Sequence, residues 1–143
     1  MRILVIEDDD DIRSVCERVF TWAGHQVASA LDATRGLELV ESFDPDVIAL
    51  DLMMPGIDGL TVLAALRGSA STSDIPVVIV SARTLTADRI RAFEAGADDY
   101  VSKPFDPDDL LRILERTCSA SPEQRVAGRW EKIAECSLRS TQL

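Results

Sequence analysis

Three four-residue runs, Ile3-Leu4-Val5-Ile6, Val47-Ile48-Ala49-Leu50 and Val77-Val78-Ile79-Val80, are apolar at every position and rich in β-branched residues. A strand with one wet face alternates in polarity. A strand that is apolar throughout is covered on both faces, which is the usual condition of a parallel sheet. Two further segments, Gln26-Val27-Ala28-Ser29 and Asp99-Tyr100-Val101, have the mixed polarity of edge strands. Helical spacing separates the runs. Ile12, Val15, Cys16, Val19, Phe20 and Ala23 recur at one face before Gly24, and Thr34 to Phe43 ends before Asp44-Pro45. Leu60 to Leu66, Ala87 to Ala95 and Pro107 to Cys118 follow. Strand and helix therefore alternate five times, which predicts a doubly wound α/β domain.

Helix starts are written into the sequence as carboxylates and prolines. Among the five consecutive acids Glu7 to Asp11, Asp10 is expected to cap the first helix, because short polar side chains accept from the free amides of the first turn. Asp106 followed by Pro107 marks the start of the fifth helix. Beyond residue 118 the character changes. Ser121-Pro122-Glu123-Gln124 has the form of a capping box, and Val126, Trp130, Ile133 and Ala134 then recur at helical spacing. Residues 119–143 carry four basic and three acidic side chains, a net +1 against −11 for residues 1–118. We expect one domain over 1–118 and a short helical tail or linker over 119–143, with no output domain. The tail is expected to pack Val126, Trp130 and Ile133 on its own domain or across a dimer.

Composition excludes several classes. The 143 residues are 46% hydrophobic and 28% charged, a globular balance, and carry a net charge of −10. An acidic surface repels phosphate backbones and anionic lipid, so no direct nucleic-acid or membrane binding is expected. No apolar run approaches the roughly 20 residues a bilayer requires, and the N-terminus is no signal peptide. Cys16, Cys118 and Cys136 are odd in number and widely spaced, and His25 is the single histidine, so neither zinc nor disulfides are indicated. The expected location is cytoplasmic.

Chemistry is sought where strands end, because doubly wound sheets bind ligands outside their carboxyl edge. Glu7 and Asp8 follow the first strand, Asp51 the third, Ser81 the fourth, and Lys103 closely follows the fifth. Three converging carboxylates repel at about 4 kcal/mol per pair at about 4 Å in an effective dielectric near 20. Either one is protonated or a cation sits among them, and an all-oxygen, partly hydrated site favours Mg²⁺. A carboxylate beside such a cation, with a lysine and a hydroxyl in reach, is a phosphoryl acceptor in chemical outline.

These residues carry a resemblance. Ile3 to Asp8, the run Asp51-Leu52-Met53-Met54-Pro55-Gly56-Ile57-Asp58-Gly59, Ser81-Ala82-Arg83, and Gly96 to Phe105 resemble the receiver domain of two-component response regulators over residues 1–118. The resemblance implies a flavodoxin-like five-stranded parallel sheet of order 2-1-3-4-5. It implies that Asp51 is the phosphoacceptor and that Glu7, Asp8, Asp51 and the Met53 backbone carbonyl hold Mg²⁺. It gives Lys103, Ser81 and the small Ala82 to the phosphoryl group, a switch to Ser81 and Tyr100, and a cis bond before Pro104. Met53 and Arg83 would stand where side chains meet attacking water. A sensor histidine kinase or phosphotransfer protein would supply the phosphoryl group, and the domain would catalyse its own phosphorylation and dephosphorylation. The face from the fourth helix to the fifth would bind a downstream protein or form a homodimer. The alternative is a phosphorylation-independent adaptor or dimerisation module of the same fold. A phosphatase of the Asp-x-Asp type is excluded, since Met53 replaces its second aspartate.

Overall fold

The computed structural model describes residues 1–141. Its elements run β1 (Arg2–Ile6), α1 (Asp10–Trp22), β2 (Gln26–Ala30), α2 (Ala33–Phe43), β3 (Val47–Asp51) and α3 (Gly59–Arg67). They continue with β4 (Val77–Ser81), α4 (Thr86–Glu94), β5 (Asp99–Ser102), α5 (Pro107–Ser119) and α6 (Pro122–Thr141). The five strands are parallel in the order β2-β1-β3-β4-β5. The two segments of mixed polarity are indeed the edges, and the three apolar runs are the centre.

Successive residues of a strand point to opposite faces, and each central strand feeds two cores. Ile3, Val5, Val47, Ala49, Val78 and Val80 meet Cys16 and Phe20 of α1 and Leu110 and Leu114 of α5. Leu4, Ile6, Ile48, Leu50 and Ile79 meet Val40 of α2, Val62 and Leu66 of α3, and Phe93 of α4. Burial on both sides is why these runs tolerate no polar position.

Helix boundaries fall within a residue or so of expectation, with one correction of substance. Asp9, not Asp10, caps α1: its backbone is extended and its side chain accepts from the amides of Asp11 and Ile12 at 2.9 and 3.1 Å. Asp10 is the first helical residue and pairs instead with Arg13. Asp106 caps α5 with Pro107 in the first turn. At the tail, Ser121 N–H donates to the Gln124 side chain and Gln124 N–H to the Ser121 hydroxyl, at 2.8 and 3.1 Å, closing the capping box.

Only part of the expected apolar face of α6 packs on its own domain. Ile133 packs against the core on the α4 side, joined by Cys136, but Val126 and Trp130 are 46% and 66% exposed. The helix is rotated because its strongest partners are polar. Arg125, Arg129 and Lys132 share a face with Ile133 and Cys136 and all reach Asp98. That face lies chiefly against α4.

Candidate functional site

Strand lengths set the site. β3 ends on Asp51 and β4 on Ser81, one register step apart: Asp51 lies opposite Val80, and Ser81 opposite Ser102. The ladder extends one further bond, from Lys103 N–H to the Ser81 carbonyl at 2.8 Å. Lys103 is thereby fixed next to the ends of β3 and β4, and its following peptide bond to Pro104 is cis. β1 ends at Ile6, so Glu7 and Asp8 enter from the other side of β3.

Oxygen atoms of Glu7, Asp8 and Asp51 lie within 4.8 Å of one another. Glu7 and Asp51 are buried, which in a medium less polarisable than water makes their mutual repulsion severe. Lys103 relieves part of it: Nζ stands 2.6 Å from Glu7 Oε1 and 3.1 Å from Asp51 Oδ2. The rest is met by protonation. Burial, then a hydrogen bond to Asp51, pushes the Glu7 carboxyl up to about 8, against the lowering effect of Lys103. Burial tends to lower Lys103, but Glu7 and Asp51 outweigh it and hold the ammonium above its ordinary value. Both resolutions of the carboxylate problem are thus chemically open, and a divalent cation would replace the proton on Glu7. The donor set, three carboxylates around one lysine, fits a hard cation with oxygen ligands.

Around this centre the chain is held closely. Met53 N–H donates to Asp51 Oδ1 at 3.0 Å, which orients the Asp51 carboxylate from the adjoining backbone. The Met53 side chain itself is exposed. Gly59, which opens α3, lies against the backbone of Asp51: a Cβ there would stand 2.4 Å from the Asp51 carbonyl oxygen. Gly59 N–H also donates to the Leu52 carbonyl at 3.0 Å. Only a glycine permits this approach. Its role was not anticipated from the sequence, although Gly59 stands at the end of the Asp51 motif behind the α3 cap Asp58.

On the β4 side, the fully buried Ser81 accepts from Arg83 N–H at 3.1 Å, and Ala82 is exposed beside it. The Tyr100 ring is buried and its hydroxyl donates to the Arg83 carbonyl at 2.8 Å. Burial raises the Tyr100 hydroxyl above its usual value, offset in part by Ser81. The ring is held between Phe93, 6.4 Å away between centroids, and the Arg89 guanidinium, 4.8 Å above its face. The Arg83 side chain turns toward Asp88. A second residue whose role the sequence did not disclose is Asp98, whose carboxylate is buried among arginines.

A doubly wound sheet with an acidic pocket at its carboxyl edge, a lysine across it and a buried hydroxyl beside it is the arrangement of the flavodoxin-like receiver fold. Residues 3–115 match the family model of the response regulator receiver domain, and the chain belongs to that family. It is 43% identical over 120 residues to the DNA-binding dual master transcriptional regulator RpaA of a Synechocystis species, covering 81% of this chain and 50% of that protein. It is 44% identical over 134 residues to the transcriptional regulatory protein PrrA of Mycobacterium bovis, covering 89% of this chain and 57% of PrrA. The chain thus spans about half the length of the curated relatives it matches. Among solved structures it resembles the Francisella response regulator 1452 receiver domain, with TM-score 0.76, 33% identity, and coverage of 82% and 95%. It also resembles the BeF3-activated receiver domain of Klebsiella pneumoniae RstA, with TM-score 0.77, 28% identity, and coverage of 84% and 100%. The protein is therefore a response regulator receiver domain of phosphorylation-based two-component signalling. No described helix is long and apolar enough to cross a membrane.

Proposed function

We propose that Asp51 accepts a phosphoryl group from a phosphohistidine on a cytoplasmic sensor kinase or phosphotransfer protein. The supporting observation is the placement of the Asp51 carboxylate at a strand end, with Glu7 and Asp8 within 4.8 Å and Lys103 at 3.1 Å. An Asp51 oxygen attacks phosphorus, and the bond from phosphorus to the donor imidazole nitrogen breaks. That nitrogen keeps the electron pair and, because the other ring nitrogen of the donor already carries a proton, leaves as a neutral imidazole. The transferred group spreads charge over its equatorial oxygens, so the protein's work is positioning and charge compensation.

Glu7, Asp8, Asp51 and the Met53 carbonyl would hold Mg²⁺, which supplies the positive charge that lets an anionic donor approach three carboxylates. Lys103 leaves Glu7 for the new phosphoryl oxygens. The Met53 amide keeps the Asp51 carboxylate oriented for in-line attack. Ala82 leaves room for the donor, and Ser81 donates its hydroxyl to the phosphoryl group. Water attacking the same phosphorus reverses the modification, with Met53 and Arg83 at the rim of its approach.

The signal passes from Ser81 to Tyr100, which are already joined through the backbone of Arg83. The face formed by α4, β5 and α5 then binds a downstream protein or a second copy. The test is incubation of the full chain with Mg²⁺ and a small acyl-phosphate donor. Wild type should gain the mass of one phosphoryl group and Asp51→Asn none; an equal gain in Asp51→Asn would overturn the assignment.

A further inference from the structure

The chain brings its own occupant to the α4–β5 edge. α6 packs chiefly on α4, and Ile133 and Cys136 join the core cluster that contains Ala92, Phe93 and Tyr100. The polar half of the contact converges on Asp98, whose side chain is 1% exposed. Its carboxylate accepts from Arg67 at 3.1 Å, from Arg125 at 3.3 Å, from Arg129 at 3.0 and 2.8 Å, and from the Val77 amide at 2.9 Å. Lys132 Nζ donates to the Asp98 carbonyl at 2.7 Å, and Arg125 to the Asp74 carbonyl at 2.5 Å. Three of the four cations on Asp98 thus come from α6.

This contact is strong in number but poorly balanced. Three guanidiniums share one carboxylate, and Arg125 Nε, buried, has no hydrogen-bond partner among the described residues. Buried like charges set their own repulsion and desolvation against the attraction of Asp98. Arg67 shows the strain, lowered to about 10 by burial despite Asp98, with Arg129 and Arg125 adding to the lowering. A helix held this way can exist docked or undocked, which is what a switching element requires.

Its docked position is tied to the switch tyrosine. Asp98 immediately precedes β5, two residues before Tyr100, and Phe93 of α4 lies against the Tyr100 ring. Here the inward ring and the docked α6 occur together. With Tyr100 turned outward, Phe93 and Ala92 would lose the ring that supports α4 from beneath, and Ile133 and Cys136 would sit on a less supported surface. We propose that α6 is a built-in ligand of the α4–β5 edge, and that its docking and the inward Tyr100 stabilise each other. Phosphorylation of Asp51 then tightens α6 onto α4, so that docked α6 becomes part of the face a downstream protein meets. This rests on the reading of Asp51 as phosphoacceptor. Coupling between two sites is reciprocal, so undocking α6 lowers the affinity of the site for a phosphoryl mimic by the same factor.

Hydrogen exchange of the full chain, read over residues 122–139 with and without the acyl-phosphate donor and Mg²⁺, tests this. Exchange in α6 should slow about fivefold or more on phosphorylation, a typical coupling, and stay unchanged in Asp51→Asn. Arg129→Ala, which removes the two hydrogen bonds that Arg129 of α6 makes to Asp98, should abolish the slowing and weaken beryllofluoride binding by a similar factor. A phosphoryl mass gain with unchanged or faster α6 exchange would overturn the inference alone. Absence of the mass gain would overturn it together with the phosphoacceptor reading.

Discussion

Lys103 lies nearer to Glu7, at 2.6 Å, than to Asp51, at 3.1 Å. The ammonium therefore serves the carboxyl that would hold a cation as well as the one that would take the phosphoryl group. Lysine and metal compete for the same negative charge, and proton, lysine and divalent cation are three ways of meeting one electrostatic demand.

The first prediction follows from the proton. In chelator, Glu7 keeps its proton up to about 8 in the folded chain, whereas the unfolded chain releases it near 4.5. Between these values the folded state binds more protons than the unfolded, so unfolding free energy falls as pH rises. Urea midpoints measured in chelator should decline steadily across this window. Glu7→Gln, which has no proton to lose, should flatten the decline.

Removing the lysine separates its two tasks. Lys103→Ala leaves Glu7 and Asp51 facing each other without an ammonium, so Mg²⁺ binding, followed by fluorescence or calorimetry, should be as tight as in wild type or tighter. Phosphorylation should fall by about 100-fold, the usual loss when one preorganised charge donor at a reacting oxyanion is deleted. The two readouts moving in opposite directions is the signature.

Gly59 gives a test of how Asp51 is held. A Cβ placed 2.4 Å from the Asp51 carbonyl oxygen and 2.7 Å from the Leu52 Cα meets backbone, which cannot rotate away. Gly59→Ala should destabilise the fold by about 1–3 kcal/mol, as overpacking does. It should also slow phosphorylation, because the strand end carrying Asp51 must shift. Gly24 and Gly56 have open space around them, and their cost is limited to a positive φ.

Much of this was legible beforehand because strand ends leave side chains little freedom. Asp51, Ser81 and Lys103 are set by a parallel register that the all-apolar runs already implied. The cap of α1 was misplaced by one residue because Asp9 and Asp10 carry the same side chain, and only backbone conformation tells them apart. The orientation of α6 was not legible for a different reason. Its apolar spacing points through Val126 and Trp130, whereas its docking partner is one buried carboxylate on a segment distant in sequence. Hydrophobic periodicity carries no information about where a buried acid waits for three cations. Gly59 was hidden likewise, since a glycine needed for close approach looks like any turn glycine.

The same contrast yields the last prediction. Trp130 is the largest apolar residue of the tail, and by spacing alone it belongs to the buried face. It is 66% exposed, whereas Ile133 packs against the core cluster beside α4. Trp130→Ala should therefore change unfolding free energy by no more than about 0.5 kcal/mol, the range of surface substitutions. Ile133→Ala removes partly buried methylenes and should cost about 1 kcal/mol, at about 0.8 kcal/mol per buried CH₂ and with incomplete burial. Urea unfolding of the two variants beside wild type decides it. If Trp130→Ala proves the costlier change, α6 docks through its apolar stripe and the charge cluster on Asp98 is not what orients it.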